Sequence, residues 1–76
     1  MKEFILYIAR SLVDYPDEVK VTEIADGQEL VLELRVAKDD LGKIIGRQGR
    51  MVRGLRTVLS AAAARSGQRV LLDIVE

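Results

Sequence analysis

An alternating run at residues 30–36 constrains the fold of this chain more than any other feature. Every second position of the run is apolar, at Leu30, Leu32, Leu34 and Val36. Side chains of a strand alternate between its two faces, so this period of two predicts a β-strand with one buried face. The preceding Asp26-Gly27 dipeptide tolerates the positive φ angles of a tight turn and predicts a hairpin. Its other strand is predicted from Asp17 to Ala25, with the weaker pattern of a partly exposed edge.

Helical periodicity lies on both sides of the hairpin. Residues 3–14 carry one apolar stripe at three- and four-residue steps, and Pro16 ends the predicted helix. After the hairpin, Asp39 and Asp40 favour a helix N-terminus, because negative charge interacts well with that end of the helix dipole. A short helix is predicted from there through Ile45.

The rest of the chain predicts a long helix and a third strand. Apolar residues share one helix face from Arg50 until Ser66-Gly67 ends the helix, and residues 70–75 are mostly apolar and β-branched. A crossover through two helices returns the third strand parallel to the second. The predicted fold is α+β, one domain spanning residues 1–76 in the order α-β-β-α-α-β. It has a three-stranded mixed sheet, with the second strand central, and three helices on one face.

Cysteine and histidine are both absent from the 76 residues. The chain therefore has no disulfide, no thiol nucleophile and neither the usual metal ligands nor the usual base at neutral pH. We expect no enzymatic activity, no catalytic residue, no metal and no cofactor. The apolar start ends at Arg10 without a signal-peptide pattern, and no run approaches the ~20 apolar residues of a membrane span. A cytoplasmic protein without membrane insertion is expected.

The formal net charge is zero, but the charges are divided along the chain. Residues 1–36 hold four basic and eight acidic side chains, a net of −4, whereas residues 37–56 hold six basic and two acidic ones, a net of +4. A neutral protein with one basic segment can bind an anion locally without the indiscriminate attachment that overall basicity brings. The alternative is an ordinary solvated helix face.

The turn Gly46-Arg47-Gln48-Gly49 lies inside this basic segment, between the two predicted helices. Glycines let a sugar-phosphate backbone approach closely, and the free N–H groups at the start of the long helix attract phosphate. Arg47 adds a cation and Gln48 a neutral donor and acceptor, so phosphates could be held without reading a base. Alternatively, the glycines only shape a helix hairpin, since six glycines in 76 residues make a chance Gly-x-x-Gly pair common.

These residues resemble the signature of KH domains, in which an apolar pair, Gly-x-x-Gly and an amphipathic helix follow one another. The matching segment is residues 44–56, IIGRQGRMVRGLR. The element order is similar to the type II KH arrangement of bacteria. The whole chain, including the stretch Asp14–Val19 after the first helix, resembles the small stand-alone bacterial KH proteins of the KhpA (YlqC) family.

This resemblance implies binding of single-stranded RNA, with about four nucleotides clamped against the glycine loop and bases over an apolar groove. It also implies a post-transcriptional regulator or RNA chaperone. The clamp would be Gly46–Gly49, Ile45 and its neighbours would support bases, and cationic side chains would add charge. The implied RNA-binding residues are Lys43, Ile45, Gly46, Arg47, Gln48, Gly49, Arg50 and Arg53.

Arginines on the long helix cannot all face one ligand. At about 100° per residue, Arg50, Arg53 and Arg56 spread over roughly 120° of the helix surface. Arg50, nearest the loop, is therefore the first candidate among them for an RNA contact. The alternative for Arg53 and Arg56 is ordinary solvation.

A second surface is predicted on the outer face of the long helix, where small residues replace the usual Lys, Glu and Gln. These residues are Gly54, Thr57, Ser60, Ala61 and Ala64. Small residues let another helix approach closely, which suggests a homodimer or a heterodimer; the alternative is that alanine simply favours helix. The resemblance implies self-association and a second, larger KH-containing partner.

Two other functions remain open from the sequence. In the first, the fold serves as a dimerisation or adaptor unit and RNA binding is weak. In the second, the two helices and their short turn form a duplex-DNA-binding helix-turn-helix, against which the three flanking strands argue.

Overall fold

A computed structural model describes residues 2–75; Met1 and Glu76, which belong to the predicted domain, lie outside the described residues. The predicted order of helices and strands is confirmed. The elements are α1 (Lys2–Leu12), β1 (Lys20–Asp26), β2 (Glu29–Arg35), α2 (Leu41–Ile45), α3 (Arg50–Ala64) and β3 (Arg69–Val75). Short 3₁₀ turns lie at Pro16–Glu18, Lys38–Asp40 and Arg47–Gly49.

The sheet has β2 at its centre, with β1 antiparallel on one side and β3 parallel on the other. This is the predicted mixed topology. In the register, Val21 lies opposite Leu34, and Leu32 lies opposite Leu72. All four side chains are buried, because they point from the same face of the sheet towards the helices.

The core fills the space between this face and the three helices. Leu32 and Leu34 from the central strand are completely buried. The helices contribute seven buried residues to the core, which are Ile5, Ala9, Ile44, Val52, Leu55, Leu59 and Ala63. The α+β prediction with helices on one face is therefore confirmed.

The first strand begins three residues later than predicted, at Lys20. Pro16 starts a 3₁₀ turn, in which the N–H of Glu18 donates to the Tyr15 carbonyl at 3.0 Å and the N–H of Val19 donates to the Pro16 carbonyl at 3.2 Å. The fixed φ of proline suits this first helical position, so the segment turns before it extends.

A buried carboxylate ties this turn to the start of α2. Asp40 is completely buried. Its Oδ1 accepts the N–H of Asp14 at 3.1 Å, and its Oδ2 accepts the N–H of Tyr15 at 3.0 Å. A buried charge is tolerated when hydrogen bonds satisfy it, and these two bonds hold the chain after α1 against α2.

Two findings apply to residues 2–75 only. No helix there combines the length and apolar character needed to cross a membrane. No three His, Cys, Asp or Glu side chains come together there in a way that could hold a metal ion.

Candidate nucleic-acid interface

The segment Gly46–Gly49 joins α2 to α3 in one tight turn, the glycine loop. The N–H of Gly46 donates to the Gly42 carbonyl at 2.9 Å, which closes α2, and the N–H of Gly49 donates to the Gly46 carbonyl at 3.1 Å. Three of the loop's residues have positive φ angles, 78° at Gly46, 58° at Gln48 and 74° at Gly49. Gln48 is the one non-glycine residue with positive φ within residues 2–75.

The two glycines are required for different reasons. A Cβ added at Gly46 would lie 2.6 Å from the Cβ of Met51 and 2.9 Å from its backbone nitrogen. At Gly49 the nearest atom would be Arg53 Nε at 3.9 Å, so the backbone conformation alone disfavours other residues. Gly46 thus makes room for α3 within the protein, a packing role that the sequence did not reveal. Both glycines therefore shape the turn between the two helices. Arg47 and Gln48 are exposed, so a ligand can reach the outer surface of the loop.

The N-terminus of α3 suits an anion. Gly49 is its N-cap and has no side chain to accept a hydrogen bond from the first turn. That turn contains no acidic residue, whereas its N–H groups carry the positive end of the helix dipole. Arg47 and Arg50 are exposed on either side. A phosphate group is the chemistry that this combination favours.

Gln48 and Arg50 lie close enough to act together. Arg50 Nη2 donates to Gln48 Oε1 at 3.4 Å, a long bond between two exposed side chains. The contact leaves the Gln48 amide nitrogen and the other guanidinium donors of Arg50 facing solvent. Both remain available to a ligand at the outer surface of the loop.

Arg53 and Arg56 are bound to backbone carbonyls, so simple solvation does not describe either residue. Arg53 Nη2 donates to the Gln48 carbonyl at 2.7 Å, and its Nε donates to the Gly49 carbonyl at 3.3 Å. Arg56 donates to the Leu72 carbonyl of β3 through Nε at 3.3 Å and Nη2 at 3.1 Å. Arg53 therefore contacts the glycine loop, as Arg50 does, whereas Arg56 contacts β3.

Lys43 lies between two carboxylates. Its ammonium group forms ion pairs with Asp14 and with Asp40, the latter at 3.7 Å from Oδ1. Hydrogen bonding to Asp14 is the main cause that raises the pKa of Lys43 above its ordinary value. The side chain stays partly exposed, so a phosphate could share it, but its first role here is to support the contact between α2 and the chain after α1. Asp14 is 29 positions away, beyond any local sequence pattern.

Ile45 presents an apolar surface directly before the loop. It is 40% exposed, whereas its neighbour Ile44 is completely buried. The apolar pair is thus divided between core and surface, as a base-supporting role for Ile45 requires. A crevice of about 310 Å³ further along α3 is lined by Arg56, Ser60 and β3. It was not recognised from sequence, because it depends on how the side chains of α3 pack against β3.

The five small residues predicted to form a second surface are all exposed along α3. They are Gly54, Thr57, Ser60, Ala61 and Ala64. Beside them runs an apolar groove between α1 and α3, where Phe4, Met51 and Val58 are each more than one-third exposed. The structure therefore adds large apolar side chains to a surface that the sequence described only by its small ones.

Comparison with known proteins supports the resemblance inferred from the loop. The family model described as "KhpA/KhpB, KH domain" matches residues 2–74. The RNA-binding protein KhpA of Clostridium acetobutylicum is 49% identical over 75 residues, which cover 99% of this chain and 100% of the relative. The proteins of the same name from Halalkalibacterium halodurans and Chlamydia pneumoniae are 50% and 47% identical over 76 residues, covering all of this chain and 100% and 97% of the relatives. Solved structures gave no significant match. The chain belongs to the KhpA/KhpB family of KH-domain proteins.

Proposed function

We propose that this protein binds single-stranded RNA, without catalysing a reaction, by gripping the sugar-phosphate backbone at the glycine loop. The observation that carries the proposal is the loop's geometry: three residues with positive φ lead into a helix N-terminus that no side chain caps. The names of the relatives, RNA-binding proteins, support RNA as the nucleic acid.

Each residue of the site has a role in this proposal. Free N–H groups in the first turn of α3 meet a phosphate, and Arg47 and Arg50 neutralise it and its neighbour. Gln48 offers its amide to the ligand, and the exposed part of Ile45 supports a base. Most of these contacts go to the backbone, so selectivity among sequences is low.

The proposed binding should be strongly salt-dependent. For a single strand, the logarithm of the association constant falls with the logarithm of salt concentration by about 0.7 for each phosphate neutralised. Lys43 contributes less than Arg47 or Arg50, because Asp14 and Asp40 already neutralise its charge.

A charge-reversal experiment tests the clamp. We expect Arg47→Asp combined with Gln48→Asp to abolish binding of a labelled single-stranded RNA of about eight nucleotides, measured by fluorescence anisotropy. Aspartate tolerates the positive φ at position 48, and both side chains are exposed, so the far-UV circular dichroism and melting temperature should stay unchanged. Arg65→Asp, about 20 Å from the loop along α3, is the control for reversing one arginine charge away from the loop.

Two outcomes would overturn this assignment. The double variant could bind the RNA within about threefold of the wild type, which would remove the clamp role from the loop. Alternatively, duplex DNA could compete as well as unlabelled single-stranded RNA, which would favour a duplex reader. Crosslinking the protein to RNA in cells tests its action as a cytoplasmic regulator or RNA chaperone.

A second candidate function, as a dimerisation or adaptor unit, is favoured by the exposed small residues of α3 and the apolar groove beside them. In this proposal the surface pairs with a second copy of the chain or with a larger KH-containing protein. We expect wild-type protein to be dimeric in light scattering at micromolar concentration, and Ala61→Glu to be monomeric, because a charge would be buried at the contact. A monomeric wild type would contradict the homodimer. A partner retained after nuclease treatment would favour the adaptor.

A further inference from the structure

The side chain of Arg53 turns back from the second turn of α3 onto the glycine loop. Its guanidinium donates to two consecutive carbonyls, that of Gln48 at 2.7 Å and that of Gly49 at 3.3 Å. Both carbonyls belong to residues with positive φ. The contact therefore joins α3 to two of the three loop residues with positive φ.

Gln48 needs such support more than Gly49 does. Its φ of 58° and ψ of 26° are left-handed, a conformation in which the Cβ of an L-residue crowds the following carbonyl. Asparagine and aspartate are enriched there, whereas glutamine is not. A charged hydrogen bond to the Gln48 carbonyl favours this peptide orientation over its alternatives.

We infer that Arg53 is a positioning residue that holds Gln48 and Gly49 in their left-handed conformation, and that it does not itself bind the RNA phosphate. The inference rests on the proposed RNA-binding function. The planar guanidinium presents its donors as a rigid fork, which lets it reach both carbonyls at once. It also covers two partially negative oxygens beside the place where a phosphate would approach.

Lysine at this position separates positioning from charge. Arg53→Lys keeps the positive charge, but an ammonium group lacks the planar fork that holds both carbonyls. We expect RNA affinity of this variant to fall on the order of fivefold, with an unchanged slope against salt concentration. Arg65→Lys, the same change at an exposed site near the end of α3, is the matched control and should leave the affinity unchanged.

The RNA-free protein supplies an independent measurement. We expect Arg53→Lys to shift the amide resonances of Gln48 and Gly49 and to speed their hydrogen exchange, while core amides such as that of Leu32 stay unchanged. Asparagine tolerates positive φ better than glutamine and keeps the side-chain amide. Gln48→Asn should therefore restore part of the affinity lost in Arg53→Lys.

The results distinguish the alternatives clearly. If Arg53→Lys binds as the wild type does while Arg53→Gln lowers the salt slope by about 0.7, Arg53 contacts a phosphate and the inference is wrong. Unchanged loop amides in RNA-free Arg53→Lys would overturn it equally. If the wild type binds no RNA, the proposed function fails, yet the loop amides still decide whether Arg53 positions the loop.

Discussion

Alanine at position 46 should destabilise the protein far more than alanine at position 49, although both positions have positive φ. Gly46 has φ 78° and ψ 171°, a region open essentially to glycine, which costs another residue about 1–3 kcal/mol. Its new Cβ would also lie 2.6 Å from Met51 Cβ and 2.9 Å from Met51 N. Met51 N is a backbone atom, and Met51 Cβ is bonded directly to the backbone of the first turn of α3. The clash can therefore be relieved only if α2 and α3 move apart, at a cost of about 1–3 kcal/mol.

The two effects add to a loss of about 4 kcal/mol in the free energy of unfolding. A domain of this size has roughly 4–11 kcal/mol in total, so Gly46→Ala should be close to unfolding. Gly49→Ala should lose only about 1–2 kcal/mol, because it has left-handed angles but open space. Gly54→Ala, inside α3 with nothing within 4 Å, should be stabilised by up to about 1 kcal/mol.

Urea denaturation followed by far-UV circular dichroism measures all three variants against the wild type. Positions 46 and 49 share a positive φ and differ in the contact that a new Cβ would make with Met51. If Gly46→Ala and Gly49→Ala lie within about 1 kcal/mol of each other, the close approach of α2 and α3 is not what requires glycine at position 46.

Three further expectations concern the core, the buried Asp40 and the ion pairs of Lys43. Leu32→Ala, at the completely buried centre of the sheet, should lose about 2–5 kcal/mol in urea denaturation, and a loss under 1 kcal/mol would contradict that packing. Asp40→Asn places an amide where two backbone N–H groups need acceptors, and its free energy of unfolding should fall by about 1–3 kcal/mol. Stability equal to that of the wild type would show that the hydrogen bonds to Asp14 and Tyr15 do not stabilise the fold. The raised pKa of Lys43 means that its stabilising contribution is complete below its ordinary pKa of 10.5 and disappears as pH rises through the folded value. The stability difference between wild type and Lys43→Met should therefore stay constant below pH 10.5 and shrink as the pH rises above it, and a difference that stays constant there would exclude the ion pairs as its cause.

The order of elements was predictable because each one follows a local rule. The period of two at residues 30–36, the Asp26-Gly27 turn and the helical stripe after Arg50 need no knowledge of distant residues. The start of β1 was harder to predict, since Pro16 begins a 3₁₀ turn that shortens the strand.

The site was predictable only in outline. The sequence predicted the position of the glycine loop and of its cationic residues, but not which atoms each side chain contacts. Lys43 pairs with Asp14 across 29 positions, and Gly46 is required by a contact with Met51 in the next helix. Arg53 donates to the carbonyl of Gln48, whose left-handed conformation the residue type itself disfavours. These contacts depend on tertiary packing, so no periodic pattern in the sequence predicts them.

The contact of Arg56 with β3 also affects how molecules meet in concentrated solution. β3 is an edge strand, and an unpaired edge carbonyl is a template on which another extended chain can add. The Arg56 guanidinium already donates two hydrogen bonds to the Leu72 carbonyl, in the middle of that edge. A foreign strand would have to displace a charged side chain before it could pair there. We therefore expect Arg56 to oppose strand addition at this edge, from the same helix whose first turn faces the proposed RNA.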